Sequence, residues 1–257
     1  MMPQAPVDAA FFSAMPAGKK VCGGTMGPGL RRDDREEAMR ETAETHSLLS
    51  SCESLERAVA EKRRVLGEDH PETLSDMLDL ADCRWAQGRL IAARNLEEQV
   101  VEGRRRLLGD EHPETLKAIG KLAVSLAAQG HLEEARRLQE QVVSGRRALF
   151  GDADLETLRA INNLAGTIAS QGDFTQAREL LASVLATTCR EFGDPHPDSL
   201  TTMSNLAAIL WQEGDRAEAY ALQQQVVGMQ RRERGDNDQA TRAATAVLEM
   251  MERDPGY

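Results

Sequence analysis

Apolar residues follow a helical period along most of the chain, in pairs of stripes separated by short polar segments. The first stripe of the best-defined pair has the i, i+3, i+7, i+10 spacing of one α-helical face. Its members are Leu116, Ile119, Ala123 and Leu126. The second stripe follows Gly130 and consists of Leu132, Ala135, Leu138 and Val142. The pattern predicts a pair of antiparallel helices, named helix A and helix B.

The whole pattern returns every 42 residues. The stretch GEDHPETL at Gly67–Leu74 comes back as GDEHPETL at Gly109–Leu116, and weaker copies begin at Gly151 and Gly193. Two further sets of residues keep the same interval, the alanines Ala93, Ala135, Ala177 and Ala219 and the valines Val100, Val142, Val184 and Val226. Self-similarity at a fixed interval predicts an all-α array of stacked helix pairs.

The recurring stretch carries the signals of a helix start. A proline suits the first turn of a helix, because its missing N–H is not needed there, and nearby Asp or Glu favours the positive end of the helix dipole. These prolines are Pro71, Pro113 and Pro197, and glycines expected to adopt positive φ end helix A at Gly88, Gly130, Gly172 and Gly214. Basic clusters at the end of helix B are expected to complement its negative dipole end.

Histidines recur in the same stretch, and two interpretations of them differ. His70, His112 and His196 could be metal ligands or bases. Successive junctions in a helical array would lie roughly 20 Å apart, whereas ligands of one zinc ion lie about 2 Å from it. The third unit also has Asp154 in place of histidine. We therefore predict helix-start roles and no metal site.

Composition narrows the function classes. The net charge of −11 argues against general nucleic-acid binding and against a basic membrane surface. One of the longest uncharged runs, between Asp198 and Glu213, is shorter than the roughly 18 residues that a membrane span needs. Cys22, Cys52, Cys83 and Cys189 show no metal-ligand spacing. They are expected to be free thiols in a reducing compartment, with a cytoplasmic location.

The repeat also predicts the organisation of the chain. Residues 1–30, rich in Gly, Ala and Pro, are expected to be a disordered tail, with an organelle-targeting role left open. Residues 31–66 fit a degenerate first repeat, whose polar first helix suits the end of an array. Four repeats are predicted over 67–234, followed by a capping helix and tail over 235–257.

The stretch NNLAGTIASQGDFTQARELL at Asn162–Leu181 resembles a tetratricopeptide repeat. With the 42-residue interval and the LGEDHPETL linkers, the chain is similar to the repeats of kinesin light chains and nephrocystin-3-like proteins from about Leu48 to Met251. The resemblance implies a right-handed α-solenoid. It also implies a concave groove, lined by the A helices, that receives a peptide or a partner's helix.

The resemblance marks candidate groove residues relative to a shared buried leucine in each repeat. Two positions before that leucine, kinesin light chains favour asparagine, an amide that can both donate to and accept from a peptide backbone. Here Asn162 keeps the asparagine and Ser204 replaces it. Further candidates are the aromatic Trp85 and Trp211, the basic Lys117 and Arg159, and the neighbouring Lys121 and Asn205.

Two interpretations of the aromatic and basic candidates stay open. Trp and Arg are frequent in interface hot spots, and Lys117 with Arg159 could attract an acidic peptide. Alternatively, both tryptophans pack between repeats and both basic residues are solvated.

Motifs for catalysis are missing. The glycine-rich CGGTMGPG at Cys22–Gly29 lacks the lysine and the preceding strand of a phosphate-binding loop, and neither HExxH nor GxSxG occurs. The sequence therefore predicts a non-enzymatic protein–protein interaction scaffold that binds a protein or peptide, without catalytic residues, a cofactor or a small-molecule substrate. The alternative is an assembly or structural subunit that uses helix B or its capping surfaces.

Overall fold

The computed structural model describes residues 50–193 and 196–253, and all regular elements in these ranges are α-helices. Residues 50–66 form α1. The others are α2 Pro71–Ala86, α3 Leu90–Leu108, α4 Pro113–Ala128, α5 Leu132–Phe150, α6 Leu155–Ser170, α7 Phe174–Phe192, α8 Pro197–Glu213, α9 Arg216–Arg234 and α10 Gln239–Arg253. The predicted tails and the first helix of the degenerate repeat lie outside the described residues, and the domain boundaries stay predictions.

The histidines of the repeated stretch cap helices, as predicted. The backbone N–H of Glu72 donates to Nδ1 of His70 over 3.2 Å, and the N–H of Glu114 donates to Nδ1 of His112 over the same distance. His196 repeats the arrangement at α8. In the third unit the carboxylate of Asp154 accepts from the N–H of Thr157. Each side chain thus satisfies one of the N–H groups that a helix start leaves unpaired.

Glycines end the helices in the conformation that the sequence predicts. The residue that follows α8, Gly214, has φ 95° and ψ 0°, the left-handed region. After α5, Gly151 has φ 86° and ψ 174°, a region that is open almost only to glycine. A Cβ at Gly151 would meet nothing within 4 Å. The requirement for glycine there therefore comes from the backbone alone.

The helices form two compact units, which are described separately: within the described residues, 50–125 and 126–253. In the first unit, α2 packs on α3, and the core includes Leu74, Met77 and Val100. In the second unit, each helix from α5 to α10 contacts the next. Ala244 of α10 packs against Val226 and Val227 of α9, in the position predicted for a capping helix.

The repeated small residues lie in the core. Ala93, Ala135, Ala177 and Ala219 are all 0% exposed, and the repeated valines are buried as well. The predicted stripe of helix B is partly wrong, because Leu138 and Leu180 are only half-buried. Their neighbours Gln139 and Leu181 are buried instead. The buried face of helix B therefore keeps the predicted alanine and valine but takes its middle residue one position later than predicted.

Basic residues near the end of helix B form ion pairs with acids around the next junction. Arg104 is 6% exposed; its Nη1 donates to the backbone oxygen of Glu114 over 2.7 Å, and its Nη2 lies 3.1 Å from Oε2 of the same residue. At the following junction Nη1 of Arg146 lies 3.6 Å from Oε2 of Glu156, an ion pair between the equivalent residues. The predicted role of these clusters at the helix dipole is thus extended by specific pairing.

The prediction of free thiols is wrong for two cysteines. Cys52 of α1 and Cys83 of α2 form a disulfide with a Cα–Cα distance of 5.7 Å, within the usual range for such bonds. Cys189 is free and half-buried, and Cys22 lies outside the described residues. The cysteine spacing could not reveal the pair, because neither cysteine recurs in the other repeats.

No helix among the described residues combines the length and the apolar character needed to cross a membrane. The predicted cytoplasmic location stays a prediction.

Glu97 of α3 is a buried carboxyl group that the sequence analysis missed. Its side chain is 3% exposed, and its Oε2 has no hydrogen-bond partner among the described residues. Burial raises the pKa of Glu97 to about 7, although the Ser125 hydroxyl and the Lys121 ammonium group lower it. The repeat-equivalent residues are Gln139, Leu181 and Gln223, which are all neutral.

Replacing Glu97 with Gln should stabilise the protein in a pH-dependent way. The folded protein keeps the Glu97 proton up to about pH 7, while the unfolded chain releases it near the ordinary glutamate value of 4.5. The contribution of Glu97 to stability therefore falls as pH rises from 4.5 to 7 and changes no further above that range. We expect Glu97→Gln to raise the free energy of unfolding by roughly 1 to 3 kcal/mol at about pH 8 and by much less at about pH 5, measured by urea denaturation.

The matched control is Gln139→Glu, which places a carboxyl group at the equivalent buried position and should create the same pH dependence. An equal stabilisation by Glu97→Gln under the acidic and the basic condition would contradict the assignment of a buried, neutral Glu97.

Gly151→Ala should lower the free energy of unfolding by about 1 to 3 kcal/mol, because alanine is strained at this φ and ψ. Gly228→Ala is the control: Gly228 lies inside α9, and a Cβ there also meets nothing within 4 Å. Alanine at that helical position should stabilise by up to about 1 kcal/mol. Thermal denaturation followed by circular dichroism compares the two, and equal effects would refute the backbone explanation.

Candidate peptide-binding surface

The eight candidate residues all lie on the first helix of a pair. In the unit of residues 50–125 they are Trp85 on α2 and Lys117 and Lys121 on α4. In the unit of residues 126–253 they are Arg159 and Asn162 on α6 and Ser204, Asn205 and Trp211 on α8. We call the first set, with Asp79 and Asp82, the α2–α4 face, and the second set, with Asn163 and Asp198, the α6–α8 face.

The α2–α4 face carries charges of both signs. Nζ of Lys121 lies 2.5 Å from Oδ1 and 2.7 Å from Oδ2 of Asp82, so that this ion pair links the two helices. Burial raises the pKa of Asp79, and the negative charges of Asp82 and Asp76 raise it further. Lys117 is exposed and Trp85 is half-buried. Neighbouring carboxylates thus offset much of the positive charge on this face.

On the α6–α8 face, Arg159 holds two carboxylates. Its Nε donates to Oδ1 of Asp198 over 2.7 Å and its Nη2 donates to Oδ2 over 3.1 Å, a two-point contact of the kind that arginine favours. Its Nη1 donates to Oε1 of Glu156 over 2.6 Å. The hydrogen bonds to Asp198 raise the pKa of Arg159. Arg159 is therefore fixed and neutralised by its own neighbours.

Asparagine amides form the centre of the α6–α8 face. Nδ2 of Asn205 donates to Oδ1 of Asn162 over 3.2 Å, and both residues are 6% exposed. The amide oxygens of Asn205 and Asn163 are buried and have no hydrogen-bond partner among the described residues. Asn163 and Asn205 are separated by 42 residues and so occupy equivalent positions in successive repeats.

The Ser204 side chain forms its hydrogen bond with a buried residue of the core. Its Oγ donates to Oε1 of Gln223 over 3.1 Å, and Nε2 of Gln223 donates to the backbone oxygen of Ala244 over 2.9 Å. Gln223 is 0% exposed. Ser204 therefore helps to satisfy a buried amide that joins α8, α9 and α10.

Trp211 both packs and remains accessible. Its half-buried ring lies against the cluster of Ala207, Leu210, Ala219 and Met251. The guanidinium carbon of Arg216 lies 4.6 Å from the ring centroid, a cation–π distance. The packing interpretation thus accounts for part of the Trp211 surface.

Sequence reasoning missed the acidic partners Asp82 and Asp198 and the unpartnered Asn163. The spacing along the sequence could have identified these two acids. Asp82 precedes Lys121 by 39 residues, and Asp198 follows Arg159 by 39 residues. This separation is three less than the repeat interval, so it places the two residues one turn apart on successive first helices.

The geometry defines the class of the protein as an all-α helical-repeat solenoid. The family model described as "Tetratricopeptide repeat" matches residues 43–106 and 156–232, and a second model of the same description matches residues 115–156. The chain belongs to the tetratricopeptide repeat family, and its repeats are of the kinesin light chain type.

Solved structures of similar proteins agree with this family assignment. A putative kinesin light chain with nearly identical TPR-like repeats, from Podosopora anserina, is 30% identical with a TM-score of 0.61, over 77% of this chain and 94% of that one. BtubC (BKLC) from P. vanneervenii is 19% identical with a TM-score of 0.63, over 81% and 84% of the two chains. The fold is also similar to the Rap protein complexed with Competence and Sporulation Factor, at 14% identity, a TM-score of 0.60, and 84% and 62% coverage.

A search of curated proteins finds no match to this chain. Family membership supports a general role as a protein-interaction scaffold.

Proposed function

We propose that the α6–α8 face binds an extended peptide segment of a partner protein. The observation that carries the proposal is the pair of unpartnered amide oxygens on Asn163 and Asn205, at equivalent positions of two successive repeats. A peptide in an extended conformation leaves its backbone N–H groups free to donate. Two such groups could bond to the two oxygens once the asparagine side chains turn outwards, because both oxygens are buried in the free protein.

The free-energy cost of unpaired buried oxygens favours the binding of a peptide that donates hydrogen bonds to them. A buried hydrogen-bonding group without a partner costs about 1 to 3 kcal/mol, and native proteins leave few of them unexplained. Hydrogen bonds from a peptide would satisfy both oxygens and remove this cost.

Neutral groups dominate this face. Arg159 is engaged by Asp198 and Glu156, so its charge is not available to attract an acidic side chain without breaking these bonds. An acidic partner, as the sequence suggested, would instead be drawn to the exposed Lys117 of the α2–α4 face. The proposal involves no catalytic group, cofactor, small-molecule substrate, nucleic acid or membrane.

The test selects ligands from a random peptide display library on the wild-type protein and measures their Kd by fluorescence anisotropy. We expect Asn205→Ala and Asn163→Ala each to weaken binding by about tenfold, since each removes one hydrogen bond to the peptide. Circular dichroism checks that the helices are unchanged. The control is Gln225→Ala, which removes an exposed amide from α9 and should leave the Kd unchanged.

Equal affinities for all four proteins would refute the proposal, as would selected peptides that bind equally well to a protein carrying both asparagine substitutions.

A second candidate, assembly into a larger complex, is favoured by apolar side chains near the ends of the second helices. In the unit of residues 126–253, Leu149, Phe150 and Phe192 are 42–49% exposed. Exposed apolar groups of this size at repeated positions are typical of surfaces that another protein covers. A role of this kind would use α5 and α7 and not the α6–α8 face.

Under this second function the chain should self-associate or join a partner through α5 and α7. Light scattering after size-exclusion chromatography measures the mass of the wild type and of the double variant Leu149→Ser, Phe150→Ser. Assembly predicts a larger mass for the wild type than for the variant. A monomeric mass for both at widely different concentrations would contradict self-assembly.

A further inference from the structure

The disulfide replaces a polar contact that recurs at other junctions. Counting by the repeat interval, Cys52 stands where later repeats have Arg94, Arg136 and Arg178. Nη1 of Arg136 donates to Oε1 of Gln171 over 3.1 Å, and Nη1 of Arg178 donates to Oε2 of Glu213 over 3.2 Å. Each of these bonds ties a second helix to the end of the next first helix. In α1, a covalent bond to Cys83 of α2 takes this place.

Apart from this bond, α1 buries few side chains. Among residues 50–66 only Cys52 and Val59 are buried. In α3, by comparison, six residues are buried. At the repeat-equivalent position of the fully buried Ala93, α1 has the half-buried Ser51. The apolar packing of α1 is therefore weaker than that of the later second helices.

Other links between the two helices are polar: Nη2 of Arg63 lies 3.4 Å from Sδ of Met77, and the ion pairs are partly exposed. Glu56 pairs with Arg84, and Nζ of Lys62 lies 2.9 Å from Oδ2 of Asp76 and 3.4 Å from Oε2 of Glu72. Ion pairs of this kind contribute little, about 0 to 1 kcal/mol each. The attachment of α1 to α2 thus depends more on the covalent bond than on its surroundings.

We propose that the Cys52–Cys83 bond is a reversible redox lock that holds α1 on α2. The sulfurs are shielded in the closed state, because Cys52 is 1% exposed and Cys83 is 7% exposed. Exchange with a soluble thiol therefore requires a local opening around the two sulfurs, after which α1 can lift from α2. The lock is independent of peptide binding on the α6–α8 face.

The chemistry is thiol–disulfide exchange with a reductant of the glutathione class. A first thiolate attacks one sulfur, which breaks the Cys52–Cys83 bond and forms a mixed disulfide. A second thiolate attacks the mixed disulfide and releases oxidised glutathione. Two electrons pass to the protein, two protons are taken up, and both cysteines become thiols. Oxidised glutathione reverses each step.

Hydrogen exchange with mass spectrometry tests the lock on the full chain, oxidised with oxidised glutathione or reduced with dithiothreitol. We expect the amides of residues 50–66 to exchange about tenfold faster or more after reduction, and those of residues 155–234 to stay unchanged. Reoxidation should restore slow exchange. The double variant Cys52→Ser, Cys83→Ser should exchange fast in both conditions, and the control Cys189→Ser should behave as the wild type.

The wild-type comparison requires no substitution, so a variant that folds poorly does not decide the result. Equal exchange of residues 50–66 in the oxidised and reduced protein would overturn the proposal. So would non-reducing peptide mapping of the oxidised protein that finds no peptide linking Cys52 to Cys83.

Discussion

The close approach of paired helices is the constraint on which the rest of the structure depends. In each of the four repeats it is met by an alanine of the second helix, and none of these four alanines exposes any surface. A side chain this small lets two helix backbones come near enough for the flanking leucines and valines to leave water, and that burial is the main source of stability. Because one helix pair cannot bury its own apolar stripe, each pair also needs its neighbour.

Junctions between pairs convert this packing into a regular array. At the first four junctions a glycine turns the chain, a proline or leucine begins the next helix, and a histidine or aspartate accepts a first-turn N–H. Arginines near the end of the second helix then bond to acids around the junction, as Arg105 does to Asp110 and Arg147 to Asp152. The charged residues of the repeated stretch thus have structural partners. These partners explain why the residues recur, and no metal site or catalytic site is needed to explain it.

Periodicity made most of the fold predictable. Features that recur at the repeat interval, such as the alanine positions and the histidine caps, could be located from the sequence because each copy confirms the others. Features that occur in only one repeat could not be located from the sequence. The bond between Cys52 and Cys83 has no counterpart elsewhere in the described part of the chain, and Glu97 occupies a position whose polar residues hide its burial. A polar residue in a helical pattern is predicted to be exposed. Only the fold shows that Gln139 and Gln223 are buried too.

The helices that carry the α6–α8 face could be predicted from the sequence, but the hydrogen bonds of its side chains could not. The resemblance to tetratricopeptide repeats placed Asn162, Ser204 and Asn205 on the first helices, where the structure has them. The partners of these residues depend on side-chain directions across two or three helices. That Ser204 bonds to Gln223, and Arg159 to Asp198, follows from the packing of neighbouring repeats and not from either residue alone.

One junction differs from the others. Where the earlier second helices end with two basic residues, α7 has Thr188 and Cys189; Thr188 donates to the carbonyl oxygen of Val184 in its own helix, and Sγ of Cys189 lies 3.7 Å from Oγ of Ser199. Among the described residues, this weak sulfur contact stands where an arginine bonded to an acid at the preceding boundary. The attachment of α8 to α7 therefore depends on apolar packing, such as that of Leu185 against Leu200 and Met203, and on the bond from Arg178 to Glu213.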